Sequence, residues 1–143
     1  YRVDLPGTPK QETQQTATAV GMITLHLEGV EVSRDAAFMV MHNDYPRLAM
    51  FDAQGCLDGA VQGLANNGAH QLRTSSNITL GNHPGREVFF TAREKGLFLH
   101  GRVRIYLVDR RLYQVLYLGK PGTERHADVE RFMTSFRLDP DPG

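Results

Sequence analysis

The strongest structural signal in the chain is a pair of alternating segments that meet at Asp109-Arg110. From 102 to 107 every second residue is a branched apolar one, and from 112 to 118 leucines recur on one face, opposite tyrosine and valine. A period of two places successive side chains on opposite faces of a strand. Two residues suffice for a tight turn, although the usual glycine is missing. The stretch therefore predicts an antiparallel hairpin, around which the rest of the chain must fold.

Further strand candidates lie at residues 1–5, 13–20, 21–27, 36–42, 69–80 and 86–93. An apolar pattern of i, i+3, i+4 and i+7 predicts a helix over 52–66, with Asp52 as N-cap and Asn67-Gly68 as its stop. A final helix is predicted after Thr123, its cap, with apolar residues Val129, Phe132, Met133 and Phe136. Short turns join the last four strands, one of them a type II turn over Asn82-His83-Pro84-Gly85, which predicts a meander.

Helices separated from runs of strands are typical of the α+β class. We therefore expect a central antiparallel sheet of six to eight strands flanked by two helices. The length of 143 residues fits one domain, which we place at 1–138, with a Pro- and Asp-rich tail or linker at 139–143. We expect Phe132 and Phe136 to anchor the last helix to the sheet, because they lie four residues apart.

Composition excludes several classes of protein. A single cysteine, Cys56, allows neither an intrachain disulfide nor a cysteine-based zinc site, and we expect it to be a small buried hydrophobe of the first helix. The longest apolar run, 36–41, is too short to span a membrane. A net charge of zero gives no general attraction to nucleic acid, so no nucleic-acid partner is expected. The chain does not begin with Met, and we expect a leader, anchor or further domain upstream of it.

Three stretches resemble PsbP-like and DcrB-like domains, in particular bacterial members of this group. The opening Tyr1-Arg2-Val3-Asp4-Leu5-Pro6-Gly7-Thr8-Pro9 is similar to their strand followed by Pro-Gly-x-Pro. Similar segments follow at Gly81-x-x-Pro84-Gly85-Arg86-Glu87 and at 104–114. The ending 127–136, Ala-Asp-Val-Glu-Arg-Phe-Met-Thr-Ser-Phe, resembles their closing helix.

The resemblance implies a central antiparallel sheet between helices, the PsbP-like sandwich. Members of this group include a photosystem accessory protein, secretion chaperones and bacterial lipoproteins, and most of them bind partners rather than catalyse reactions. It therefore implies a non-enzymatic domain with a protein partner and no cofactor, exported or attached to the cell envelope. The residues on which the resemblance rests are ones that maintain the fold, and no motif among them is associated with a reaction.

Candidate chemistry is sparse. No G-x-S-x-G, phosphate-binding loop or complete set of metal ligands is present. His42 and Asp44 share one face of a strand end, but two ligands do not make a metal site, so no metal is expected. Glycines recur every four residues at Gly55, Gly59 and Gly63, which we interpret as close packing of the first helix, with a docking groove as the alternative.

Charge is distributed unevenly along the neutral chain. Residues 1–70 carry a net charge of −4 and residues 71–143 one of +4, and 86–111 alone hold seven basic and three acidic residues. Strand alternation predicts an outward basic face on the first strand of the hairpin, which an acidic partner, phosphate or lipid headgroup would fit. The alternative is a solvated face paired with the acidic half. The candidate binding residues are His100, Arg102, Arg104, Tyr106, Arg110 and Arg111.

These observations favour a non-catalytic domain that binds a protein or another macromolecule, with an acidic protein as the expected partner. A small-molecule or lipid-binding sensory domain is the second interpretation, and an enzyme the third. An exposed patch without a pocket would favour the first, and an apolar cavity between sheet and helix the second. A deep polar pocket with convergent histidines and acids would favour the third.

Overall fold

Seven strands and two helices make up the part of the chain that the structure, a computed structural model, describes: residues 1–18, 21–33, 35–45, 52–65, 70–94 and 96–139. In chain order they are β1 (Lys10–Thr18), β2 (Gly21–Ser33), β3 (Ala36–Asp44), α1 (Ala53–Ala65), β4 (His70–Leu80), β5 (His83–Glu94), β6 (Leu97–Val108), β7 (Arg111–Gly119) and α2 (Ala127–Ser135). The predicted first strand at 1–5 is wrong. This segment forms only an isolated bridge between Arg2 and Arg137.

All seven strands form one antiparallel sheet in the order β1-β2-β3-β7-β6-β5-β4. The predicted meander runs from β4 to β7. It is joined to the first three strands by β3 and β7, which pair from Ala37–Leu118 to Asp44–Arg111. The α+β class with a central antiparallel sheet and two helices is thereby confirmed.

Each face of the sheet has its own apolar core. The face covered by α2, here the α2 face, buries aromatic and aliphatic residues of β3, β6 and β7 against Phe132 and Met133. The opposite face, here the α1 face, buries β5, β6 and β7 residues against Leu57. Because successive strand residues point to opposite faces, β6 contributes Tyr106 to the α2 face and Ile105 to the α1 face.

The packing of α2 follows the sequence prediction. Phe132 meets the ring of Phe38 edge-on at 5.1 Å, and Phe136, just after the helix, stacks on Tyr106 at 5.7 Å. The predicted cap is wrong, because the helix begins one turn later and its N-cap is His126. The hydroxyl of Thr123 instead donates to the Lys120 carbonyl at 2.6 Å, within the turn that follows β7.

The first helix is capped as expected, since Asp52 Oδ1 accepts from the Gln54 backbone N–H at 3.2 Å. The predicted close packing of its glycines is wrong. A Cβ added to Gly59 or Gly63 would meet no atom within 4 Å, and the atoms nearest to one added to Gly55 belong to the Asp52 side chain. The predicted stop at 67–68 lies outside the described residues.

One of the two turn predictions needs correction. The β4–β5 turn is Gly81-Asn82, with Gly81 at φ +59°, whereas Pro84 and Gly85 already pair within β5. Gly85 is required by close packing instead, because a Cβ there would lie 2.5 Å from the Ile105 carbonyl oxygen. The hairpin at Asp109-Arg110 is confirmed. Asp109 supplies the left-handed conformation, φ 55°, that a glycine usually provides.

Candidate functional site

The predicted basic face of β6 lies under a helix. Alternation along β6 places His100, Arg102, Arg104 and Tyr106 on the α2 face, as expected. The loop before α2 and the helix itself cover that face. The expected outward position is therefore wrong for Arg102 and Tyr106, each of which is 3% exposed.

Arg102 is the centre of a buried ion-pair network. Its guanidinium donates to Glu87 Oε2 at 3.0 Å from Nη2, to Glu130 Oε1 at 2.6 Å and to the Glu124 carbonyl at 3.1 Å. It also lies 5.3 Å from the centre of the Phe89 ring. Partners on β5, on α2 and in the preceding loop thus share one buried cation, which ties the helix to the sheet.

Arg104 completes this network from the next position on the same face. Its Nε donates to Glu87 Oε2 at 2.6 Å, so that one carboxylate accepts from two arginines. Burial raises the pKa of Glu87, but the hydrogen bonds from Arg104 and Arg102 outweigh it and hold the pKa below its usual value. We call Glu87, Arg102, Arg104 and Glu130 the arginine clamp.

A second network lies beside the clamp, around Glu124. Its Oε1 accepts from His100 Nδ1 at 2.9 Å and from Arg73 Nη1 at 3.1 Å, and its Oε2 accepts from the Gly122 N–H at 3.1 Å. Because an ionised carboxylate can only accept, we assign the Nδ1 proton to His100. Burial opposes the charge of Glu124, but its hydrogen bonds prevail and lower its pKa. His100 is thus engaged within the fold.

The two arginines of the hairpin turn have different surroundings. Arg111 donates to Asp44 through Nε at 2.6 Å and Nη2 at 2.9 Å, an exposed bidentate pair that lowers the pKa of Asp44 and raises that of Arg111. The Arg110 carbonyl accepts from the Tyr45 N–H at 2.8 Å. The positive charge of the Arg110 side chain acts to lower the pKa of the Cys56 thiol, against the larger effect of burial. The six predicted residues therefore do not form one exposed surface, and their role in binding a partner stays a prediction.

An open depression of the described structure lies elsewhere on the α2 face. Arg2 and Arg137 exchange backbone hydrogen bonds of 2.7 and 2.8 Å, and the Asp4 N–H donates to Ser135 Oγ at 2.8 Å, so that the N-terminal segment is fixed to the end of α2. Between this segment and strands β1 to β3 a volume of about 670 Å³ stays open. This space, here the recess, is lined mainly by polar and charged side chains, among them Asp4, Thr13, His26, Glu28, His42 and Arg137.

Two histidines form the floor of the recess. His26 and His42 are directly opposite in the β2–β3 register, and their rings stack at 4.8 Å. Burial, followed by the charges of Arg111 and His26, lowers the pKa of His42. Its Nδ1 is buried and has no hydrogen-bond partner among the described residues. Burial and the nearby charge of Glu28 raise the pKa of Tyr1, which packs edge-on against His42, to about 12.

This recess was not predicted from the sequence. Its floor depends on the β2–β3 register, which brings His26 opposite His42 at the end of β3. Asp44 does not join His42, because its carboxylate is bonded to Arg111. Within the described ranges, no three His, Cys, Asp or Glu side chains are grouped so that they could hold a metal ion.

An apolar groove lies on the α1 face, where α1 leaves part of the sheet open. The helix contacts β4, β5 and β6, and beside its C-terminal half a space of about 420 Å³ extends over β2, β3 and β7. Its apolar walls are Leu27, Met39, Met41, Leu64, Leu116 and Leu118, all half-buried. Cys56 packs against the nearby core, and burial raises the pKa of its thiol. No helix of the described part is long and apolar enough to cross a membrane.

No protein-family model matches this sequence, and no curated protein is significantly similar to it. Solved structures are nevertheless similar in fold. A Pseudomonas aeruginosa protein of unknown function, PA94, aligns over 92% of this chain and 99% of its own, with a TM-score of 0.58 and 11% identity. LpqN of Mycobacterium tuberculosis, described as involved in cell envelope biogenesis, aligns over 94% of this chain and 76% of its own (TM-score 0.51, 11% identity).

The third similar structure bears directly on the resemblance noted in the sequence. PsbP of the cyanobacterium Synechocystis, CyanoP, aligns over 95% of this chain and 98% of its own, with a TM-score of 0.53 and 10% identity. At such identities the likeness concerns the fold alone. Together with the antiparallel sheet between α1 and α2, it shows that this chain has the PsbP-like fold.

Proposed function

We propose that this chain is a non-catalytic binding domain that recognises a protein partner through the recess. One observation carries the proposal: the recess is large, open to solvent and lined mainly by polar and charged groups. Sites for small molecules of similar volume are mostly apolar and enclose their ligand. An open polar surface on a rigid sheet fits the side chains of another protein, which remain partly hydrated in such interfaces.

The recess offers charges of both signs. Arg2 lies in the N-terminal segment and Arg137 lies just after α2, and Asp4, Glu12 and Glu28 lie around them. A partner with mixed charges would complement this lining. The preference for an acidic partner remains a prediction that rests on the exposed Arg111. It is tested by Arg111→Glu, with Arg93→Glu, a charge reversal at another exposed arginine, as the control.

The positions of the buried charged side chains support the proposal that the domain is non-catalytic. Arg102 and Glu124 are the buried charged side chains of the described structure, and Glu87 is mostly buried beside Arg102; all three belong to the two networks at α2. They lie outside the lining of the recess. These charged groups therefore stabilise the fold, and the recess is the part that recognises the surface of a partner protein.

We also propose that the domain works outside the cytoplasm. The PsbP-like fold supports this, as does the likeness to LpqN, which is described as involved in cell envelope biogenesis. A reporter enzyme that is active only after export, fused to the complete gene product, should be active. Reporter activity confined to the cytoplasm would contradict this location.

Photo-crosslinking from within the cell tests the recess. A photoreactive amino acid at Thr13, an exposed recess position, should crosslink one defined protein other than a second copy of this chain. The matched control is Gln62, an exposed residue of α1 on the opposite face, which should not crosslink that protein. Crosslinks to the same protein from Gln62 but not from Thr13 would contradict the proposal.

The apolar groove supports a second candidate function, the binding of a lipid or another small apolar molecule. It is the apolar space between sheet and helix that such a ligand needs. A fluorescent fatty acid should bind, and Met41→Glu should abolish binding because it places a charge in the groove. Met22→Glu is the control, since Met22 is 64% exposed and lies on the other face. Equal binding by both variants would refute this function.

A further inference from the structure

The two edges of the sheet differ in a way that bears on assembly. β1 and β4 are the outermost strands, so each presents one unpaired row of backbone N–H and C=O groups within the described structure. Such a row pairs readily with another chain, and most proteins protect it with bulges, charges, proline or short strands. The β4 edge has this protection. A bulge between Leu72 and Thr74 interrupts its register, and Arg73 lies at the bulge.

The β1 edge has little of this protection. β1 pairs with β2 over nine consecutive residues, from Lys10–Gly29 to Thr18–Gly21, with no shift in register. It contains no proline, and its two charged residues, Lys10 and Glu12, both lie at its beginning. The six residues that follow are uncharged Thr, Gln and Ala. β1 is thus a regular, long edge strand, and the two charges at its beginning are its one device against strand addition.

From this asymmetry we infer that two copies of this chain pair through β1, antiparallel and about a two-fold axis near Gln14. In this register Lys10 lies opposite Thr18 and Glu12 opposite Thr16, so no like charges face each other. A parallel pairing would set Lys10 against Lys10. The chain has zero net charge, so copies do not repel each other overall. The two sheets then form one continuous sheet with an isologous interface.

Charge on the edge strand provides the test. The double variant Gln14→Lys/Gln15→Lys places lysines on both faces of β1 close to the axis, where they oppose lysines of the second copy. The matched control, Ser75→Lys/Asn77→Lys, adds the same charge at exposed positions of β4. The molar mass of all three proteins is measured by sedimentation equilibrium over a range of concentrations.

The wild type and the β4 variant should reach about twice 16.0 kDa as concentration rises, and the β1 variant should stay at 16.0 kDa. In the wild type, amide hydrogen exchange in β1 should slow as the dimer forms. A wild type that is monomeric throughout would overturn the inference, and so would a dimer that the β1 lysines leave intact. The assay contains no other protein, so its outcome is independent of whether the recess binds a partner.

Discussion

Replacing the buried arginine of the clamp should destabilise the fold far more than replacing an exposed one. Arg102→Met keeps a long side chain but removes the hydrogen bonds to Glu87, Glu130 and the Glu124 carbonyl. Removing one partner of a buried ion pair costs roughly 3–5 kcal/mol. Glu87 keeps Arg104, and Glu130 is 43% exposed and can rehydrate, so we expect the lower end, about 3 kcal/mol.

Urea unfolding followed by far-UV circular dichroism measures this effect. At a slope of about 2 kcal/mol per molar urea, a loss of about 3 kcal/mol lowers the midpoint by roughly 1.5 M. Arg131→Met is the control. Arg131 is 78% exposed and lies 3.6 Å from Asp4, so its loss should cost less than about 1 kcal/mol. If the two variants unfold at the same urea concentration, the clamp does not hold α2 to the sheet.

Three further predictions concern stability. The pKa values of Glu87 and Glu124 are lower in the folded state than in the unfolded state, which favours their ionised forms in the fold. The stability that these groups contribute is therefore present above the unfolded pKa of about 4.3 and is lost as the pH falls through the folded pKa. The urea midpoint should therefore fall in acid, less so in Glu87→Gln; equal pH profiles would contradict this. Phe132→Ala should cost about 3–5 kcal/mol and lower the melting temperature, whereas an unchanged value would show that α2 is not docked. Gly59→Ala should stabilise the protein by about 0.5–1 kcal/mol in urea unfolding, because no atom lies near the position of the added Cβ. Gly101→Ala should destabilise the protein, because its Cβ would fall on the Phe90 ring. The reverse order of stability would contradict this packing.

The sheet and both helices were accessible from the sequence because they rest on local periodicity. Alternation in 102–118 identified the central hairpin, and apolar spacing identified α1 and α2. Turns and caps depend on single residues, whose role tertiary packing can change. Pro84-Gly85 has the composition of a type II turn, but tertiary packing against Ile105 uses Gly85 inside a strand. Thr123 is a good capping residue, yet it bonds within the preceding turn.

The site was less accessible, because it depends on contacts between distant segments. Alternation correctly placed Arg102 and Arg104 on one face, but it cannot show what covers that face. The covering acids, Glu124 and Glu130, follow 22 and 28 residues after Arg102 in the chain. The recess likewise depends on the register that brings His26 opposite His42. A signal was nevertheless present, since the chain has glutamates at 87, 124 and 130 that can pair with the arginines of β6.

Mapping of the bound partner by nuclear magnetic resonance tests the central claim most directly. A chain of 16.0 kDa gives resolved amide signals, which can be followed while the protein crosslinked from Thr13 is added. We predict that the largest shifts cluster in the recess, at Asp4, Thr13, His26 and Glu28, and that β4 and α1 stay unchanged. Shifts confined to α1 and the apolar groove would show that the partner binds the opposite face, and would contradict the account.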